Sequence, residues 1–202
     1  MRSVLLWLLV LFCGVVGAAT PAKSDVGNCQ PAEFFVTDNA DPLFEPQADV
    51  TIALNGVAVT GSTPLDGVYW SSALQRITFE RSREFHLCGA DEPALHIAAE
   101  ALRRQFDQES VLSFGYLPQR APQENAIIIT VPDVDIERLG TALAADPAAR
   151  NRLRGGSVTT TDHTLILVAG NDDRDVARQL VSEAGGNWSA ASIAYGRSEF
   201  VE

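Results

Sequence analysis

Few positions in this chain combine residue types that could do chemistry. The densest is Thr159-Thr160-Thr161-Asp162-His163-Thr164, where hydroxyls, a carboxylate and an imidazole are consecutive. In a hydrolase, His163 would act as general base, an acid such as Asp162 would orient it, and a hydroxyl would attack. Adjacent side chains on a strand point to opposite faces, so Asp162 is poorly placed to orient its own neighbour. A polar turn, in which Asp and Thr satisfy local backbone groups, accounts for the same residues. Asp162 and His163 are therefore kept as weak catalytic candidates only.

A second group, Asn171 with Asp172, Asp173 and Asp175, could offer oxygen ligands to a hard cation. It also stands where a helix begins, and carboxylates there complement the helix dipole without any ligand. No metal is expected, with these three aspartates as weak candidates. His86 and Cys88 form an H-x-C pair, but no further Cys or His follows at a zinc-ligand spacing. Strand alternation places His86 on the face of Cys88, which suits a packed or hydrogen-bonded histidine. His96 sits beside Leu95 early in a helix and reads as a flank residue. Gly155-Gly156 and Gly185-Gly186 are read as helix stops, not as phosphate-binding loops. There is no G-x-S-x-G elbow, H-E-x-x-H or EF-hand loop, and no cofactor is expected.

The elements that must position these residues begin with an export signal. Arg2 precedes an apolar run from Val4 to Val16, closed by Gly17, Ala18 and Ala19, the layout of a signal peptide cleaved after Ala19. The alternative is an uncleaved membrane anchor over residues 4–19. Phe12, bulky where lipoprotein processing needs a small residue, excludes lipidation at Cys13. Cleavage would leave 183 residues and shift the net charge from −11 to −12, since Arg2 departs and no acid does. It would also leave two cysteines, Cys29 and Cys88, which in an exported chain most simply pair as a disulfide. The chain carries 15 Lys+Arg against 26 Asp+Glu, which counts against a nucleic-acid partner. A single Lys, with Ala and Gly abundant, suggests a bacterial source. No membrane contact is expected once the signal is removed.

Residues 20–33 read as a flexible arm and 34–202 as a single α+β domain. Val50, Ile52, Leu54, Val57 and Val59 alternate around Asn55-Gly56, predicting a β-hairpin over residues 49–60. A turn at 62–67 and strands at 68–70, 77–79 and 85–88 follow. A helix capped by Asp91 buries Leu95, Ala98, Ala99, Leu102 and Phe106. Strands are predicted at 111–117 and 126–131, with helices from Asp135 and from Asp146-Pro147. Residues 157–161 and 164–169 form one strand or a hairpin. A last helix, capped by Asp172 or Asp173, leads to a strand at 191–195. From residue 68 to 169 this succession matches a ferredoxin-like split β-α-β-β-α-β core, with an added C-terminal helix and strand on a mixed sheet. The runner-up is a doubly wound parallel sheet. The function expected is that of an exported module, secreted or in the cell envelope, binding an unknown protein or small molecule without catalysis.

Overall fold

A computed structural model describes residues 30–89, 91–117 and 124–202. The signal layout at 1–19, most of the predicted arm and Cys29 lie outside the described residues. The first strand, β1 (Pro31–Thr37), takes in three residues assigned from the sequence to the arm.

Helix α1 (Phe44–Leu54) replaces the first predicted hairpin. The alternation of Val50, Ile52 and Leu54 is misleading: Ile52 is buried, whereas Val50 is 57 % and Leu54 82 % exposed. Burial follows the helical spacing of Phe44, Ala48 and Ile52 instead. Asn55-Gly56 ends this helix, with Gly56 at φ +83°, the left-handed conformation that glycine adopts without steric cost.

Strands β2 (Ala58–Ser71) and β3 (Arg76–Cys88) form a long hairpin that absorbs the turn predicted at 62–67. Their register runs from Ser71 opposite Arg76 to Ala58 opposite Cys88, with one irregularity between Val59 and Gly61. Helix α2 (Glu92–Gln105) is capped as predicted, Asp91 Oδ1 accepting from Ala94 N at 3.0 Å. Strand β4 (Val111–Tyr116) completes the first half.

The second half repeats the order. Strand β5 (Ala126–Val131) leads into α3 (Ile136–Ala145) and α4 (Pro147–Arg152), whose caps are Asp135 and Asp146. Strands β6 (Gly155–Thr159) and β7 (Leu165–Gly170) follow, then α5 (Arg174–Glu183) and β8 (Ser192–Val201). Gly185 stops α5 at φ +83°, as predicted. Gly155 and Gly156 do not stop a helix: they lie in β6, pairing with Tyr69 and Val68 of β2.

The eight strands close into a barrel in the order β1-β3-β2-β6-β7-β5-β8-β4, and β4 returns to β1. Every pairing is antiparallel. This overturns the expectation of one ferredoxin-like core on a mixed sheet with an appended helix and strand. The β-α-β-β-α-β succession runs twice, over 31–116 and 126–201, because α1 belongs to a first copy that the hairpin reading concealed. The chain is thus mostly β, with helices outside the ring. The two copies join along two seams, β2–β6 and β4–β8.

Alternation on the strands gives the ring two buried faces. Outside, Phe34, Phe85, Leu87 and Val111 pack with Phe44, Ile52, Leu95 and Leu102 of α1 and α2. Ile127, Ile129, Leu165 and Leu167 do the same under Leu139, Leu143, Leu180 and Val181 of the second half's helices. Inside, a third cluster of Leu65, Phe114, Ala126, Ile128 and Ile166 fills part of the lumen, with Phe35, Tyr116 and Val168 against it. An eight-stranded barrel is wide enough for side chains to fill or for one small ligand to enter.

Candidate binding site at the mouth of the barrel

The lumen is not wholly apolar. On β3 the period of two puts Glu80, Ser82, Glu84 and His86 on the inward face, and β1 adds Glu33 and Phe35. Register sets Glu33 beside His86 on one side and Phe114 on the other. It likewise sets Glu84 between Phe35 and Thr63. Carboxylate oxygens of Glu33 and Glu84 and a ring nitrogen of His86 all lie within 4.8 Å of one another.

This cluster lies where β1 begins and β3 ends. Glu84 is 5 % exposed, and the side chains of Glu33 and His86 are 14 % and 38 % exposed, so the imidazole meets solvent and the carboxyls sit behind it. His86 Nε2 is 2.9 Å from Thr63 Oγ1, and His86 Nδ1 is 3.6 Å from Glu33 Oε1. Glu33 Oε2 is buried and has no hydrogen-bond partner among the described residues.

The electrostatics divide the two carboxyls. Burial, reinforced by the nearby charge of Glu33, pushes Glu84 up to about 9. For Glu33, burial alone would raise the pKa, but the polar groups of His86, Glu84 and Tyr116 facing it outweigh burial and hold it below the ordinary value. Burial, followed by the Glu33 carboxylate, drives the Tyr116 phenol well above its usual range. Burial and mutual repulsion thus disfavour charge on both carboxyls at once, and Glu84 holds the proton more firmly than Glu33. Such a site can accept a cation or a hydrogen-bond donor at Glu33 and donate from Glu84.

The residues singled out from the sequence lie elsewhere. Asp162 and His163 occupy the turn between β6 and β7, with His163 at φ +53°. Asp162 accepts from the hydroxyls of Thr159, Thr161 and Thr164, and these bonds, Thr159 first, hold its carboxyl below the ordinary value. The backbone of His163 is engaged too, its N–H to Thr159 O at 3.2 Å and its carbonyl to Val134 N at 2.9 Å. At the start of α5, Asp173 pairs with Arg152 and Asp175 with Arg178, while Arg152 Nη2 reaches Asp172 O at 3.2 Å. No side-chain cap bond forms from Asp173. His96 pairs with Glu199 at 3.3 Å on the surface.

Of the cluster, only His86 drew notice from the sequence, as a packed residue. The signal that could have found Glu84 is the spacing Glu80-x-Ser82-x-Glu84-x-His86, one face of a strand, whereas Glu33 joins them only through the β1–β3 pairing.

A cleft of about 520 Å³ lies away from this cluster. It runs between the start of α2 and strands β4 and β8, bordered by Asp91, Glu92, Asn125, Arg197 and Glu199. Its charges are mutually satisfied, Arg197 bridging Glu92 at 2.9 Å and Glu124 at 3.4 Å. The barrel mouth, with a buried unsatisfied carboxylate oxygen, is the stronger candidate.

No protein-family profile matches the chain, and no curated protein matches it. Among solved structures it is similar to a phage SAM lyase in complex with S-methyl-5'-thioadenosine, at 22 % identity over 44 % of this chain and 80 % of that one, TM-score 0.35. It is also similar to an anthrone oxidase-like protein, at 10 % identity over 87 % and 94 % of the two chains, TM-score 0.26. Likenesses this distant leave the site to be argued from its own geometry.

Proposed function

We propose that this protein is an exported, non-catalytic binding module, secreted or retained in the cell envelope, that takes a small cationic or hydrogen-bond-donating ligand at the mouth of its barrel. The observation that carries the reading is the Glu33–Glu84 pair, close together with Glu84 buried, Glu33 half-buried and Glu33 Oε2 unpartnered. Burying two carboxyls against each other costs stability, and an apolar pair would serve folding better. A ligand that satisfies the orphan oxygen gives the arrangement a use.

The test is thermal unfolding of the mature protein against a panel of protonated amines, guanidinium compounds and divalent cations. A ligand at a hundred times its Kd should stabilise by about 3 kcal/mol, a rise on the order of 5–10 °C for a chain of this size. The rise should vanish in Glu33→Gln and persist in His163→Ala. No stabilisation by any member of the panel would defeat the reading. Loss of the shift in His163→Ala would instead favour a site at the β6–β7 turn.

Export and a Cys29–Cys88 disulfide belong to the same reading. Cys88 ends β3 opposite Pro31, and Gly89 N donates at 3.3 Å to the carbonyl of Gln30, the residue that follows Cys29 in the sequence. Mass spectrometry of the protein recovered from the medium or envelope should give a start at Thr20. It should also give no free thiol before reduction and two after. A chain starting at Met1 would support the anchored form over residues 4–19, and equal thiol counts would exclude the disulfide.

A further inference from the structure

We infer that Glu33, Glu84 and His86 form a binding site for a divalent transition-metal ion, with zinc the best match. This rests on the reading that the barrel mouth is the ligand site and specifies the ligand. Three ligating side chains converge there from two paired strands, with their donor atoms within 4.8 Å of one another. The pairing of Glu33 with His86 and the two-residue step to Glu84 are fixed by the β1–β3 ladder, so the donors are held before any ion arrives.

The Glu33–His86 distance suits a bridging ion better than a direct contact. At 3.6 Å, His86 Nδ1 and Glu33 Oε1 are too far apart for a good hydrogen bond. Ligands about 2.0–2.2 Å from a tetrahedral zinc are separated by roughly 3.4 Å, close to the Glu33–His86 separation, while the three donors together lie within 4.8 Å. The other ring nitrogen, Nε2, meets Thr63 Oγ1 at 2.9 Å, the outer hydrogen bond that orients a metal-ligating histidine and leaves Nδ1 free to coordinate. Independently, Glu33 Oε2 is buried with no partner, a second carboxylate oxygen available to an ion.

An imidazole with two carboxylates suits zinc, whereas calcium and magnesium prefer oxygen donors alone. His86 is partly exposed, so the fourth position faces solvent, where a water or a small anionic ligand can complete the shell. Three protein ligands with one open position also match the small-ligand role proposed for the mouth.

The test is isothermal titration of chelator-treated, oxidised, tag-free mature protein with zinc chloride. One zinc per chain should bind, with magnesium and calcium giving no comparable heat. His86→Ala and Glu33→Gln should each weaken zinc at least tenfold, while His96→Ala, altering an exposed histidine outside the cluster, should leave it unchanged. Cobalt(II) added to the wild type should give a visible d–d band typical of four- or five-coordinate nitrogen and oxygen ligation, a readout that needs no variant to fold. Absence of zinc binding and of the cobalt band would overturn the inference, as would zinc binding unaffected by His86→Ala. An amine that stabilises the protein through Glu33 while zinc does not bind would overturn the metal and leave the binding module standing. Failure of both would remove both.

Discussion

Glu84→Gln is expected to stabilise the chelator-treated protein near pH 8.5 and to change it little near pH 5. The carboxyl of Glu84 is pushed up to about 9 from an ordinary 4.5, chiefly by burial and then by Glu33. Between those values the native state holds a proton that the unfolded state has released. Stability is therefore fully present below the unfolded pKa and falls as pH rises towards the folded one. The slope approaches about 1.4 kcal/mol per pH unit at most, the free energy of one pKa unit. Glu33 shifts the opposite way, so its contribution is lost only as pH falls through the acid range. Tyr116 begins to matter above the ordinary phenol range, so the titration should stop near pH 9. Glutamine keeps the size and donor capacity of the protonated carboxyl but cannot ionise, so it should flatten the profile. Urea unfolding at intervals from pH 5 to 9 decides the matter. Parallel profiles for wild type and variant would show that Glu84 does not carry the buried proton.

Gly155→Ala and Gly196→Ala should be the most damaging small substitutions in the chain. A Cβ on Gly155 would fall inside contact with the Val68 carbonyl and Tyr69 Cδ1, and 2.9 Å from Tyr69 Cα. On Gly196 it would meet the Phe114 ring and lie 2.5 Å from the Gly115 carbonyl. Each clash involves backbone, which no rotamer change relieves. Gly155 faces β2 across one seam and Gly196 faces β4 across the other, so the strands would be forced apart where the two halves meet. A cost on the order of 3 kcal/mol or more is expected for each. Gly56→Ala is the useful comparison. It is strained by φ +83° but meets nothing within 4 Å, and should cost only about 1 kcal/mol. Equal losses at all three positions in denaturant unfolding would contradict the seams as described.

What could be read from the sequence follows a physical pattern. Helices α2, α3 and α4 announce themselves through Asp91, Asp135 and Asp146 at their caps, and α5 through its glycine stop, because these signals are local. Helix α1 lacks a signal at its start: Leu43 gives no side-chain cap, its buried stripe is only Phe44, Ala48 and Ile52, and its glycine stop, Asn55-Gly56, reads equally well as a hairpin turn. The accidental alternation at 50, 52 and 54 then prevails. Closure was illegible for a different reason. It depends on pairing Gly155–Thr159 with β2 and Ser192–Val201 with β4, contacts between segments far apart in the chain. The site shares that fate. Glu84 and His86 alternate with Phe85 and Leu87, which on an open sheet means a polar face turned to water. Only when the sheet curls shut does that face become an interior, and only then do two glutamates become costly enough to demand a role.

The two seams also set how this chain can go wrong. Within each half the strand pairings are internal, so a half detached from its neighbour presents two unpaired edges, β2 and β4 in one case and β6 and β8 in the other. Exposed edges seek partners. The partners that fit them best, in register and in shape, are the corresponding edges of another copy. A chain that opens at both seams can thus be rebuilt by reciprocal exchange, each half closing a ring with the opposite half of a second molecule. The closure that leaves no free strand edge among the described residues is also what makes two opened chains interchangeable.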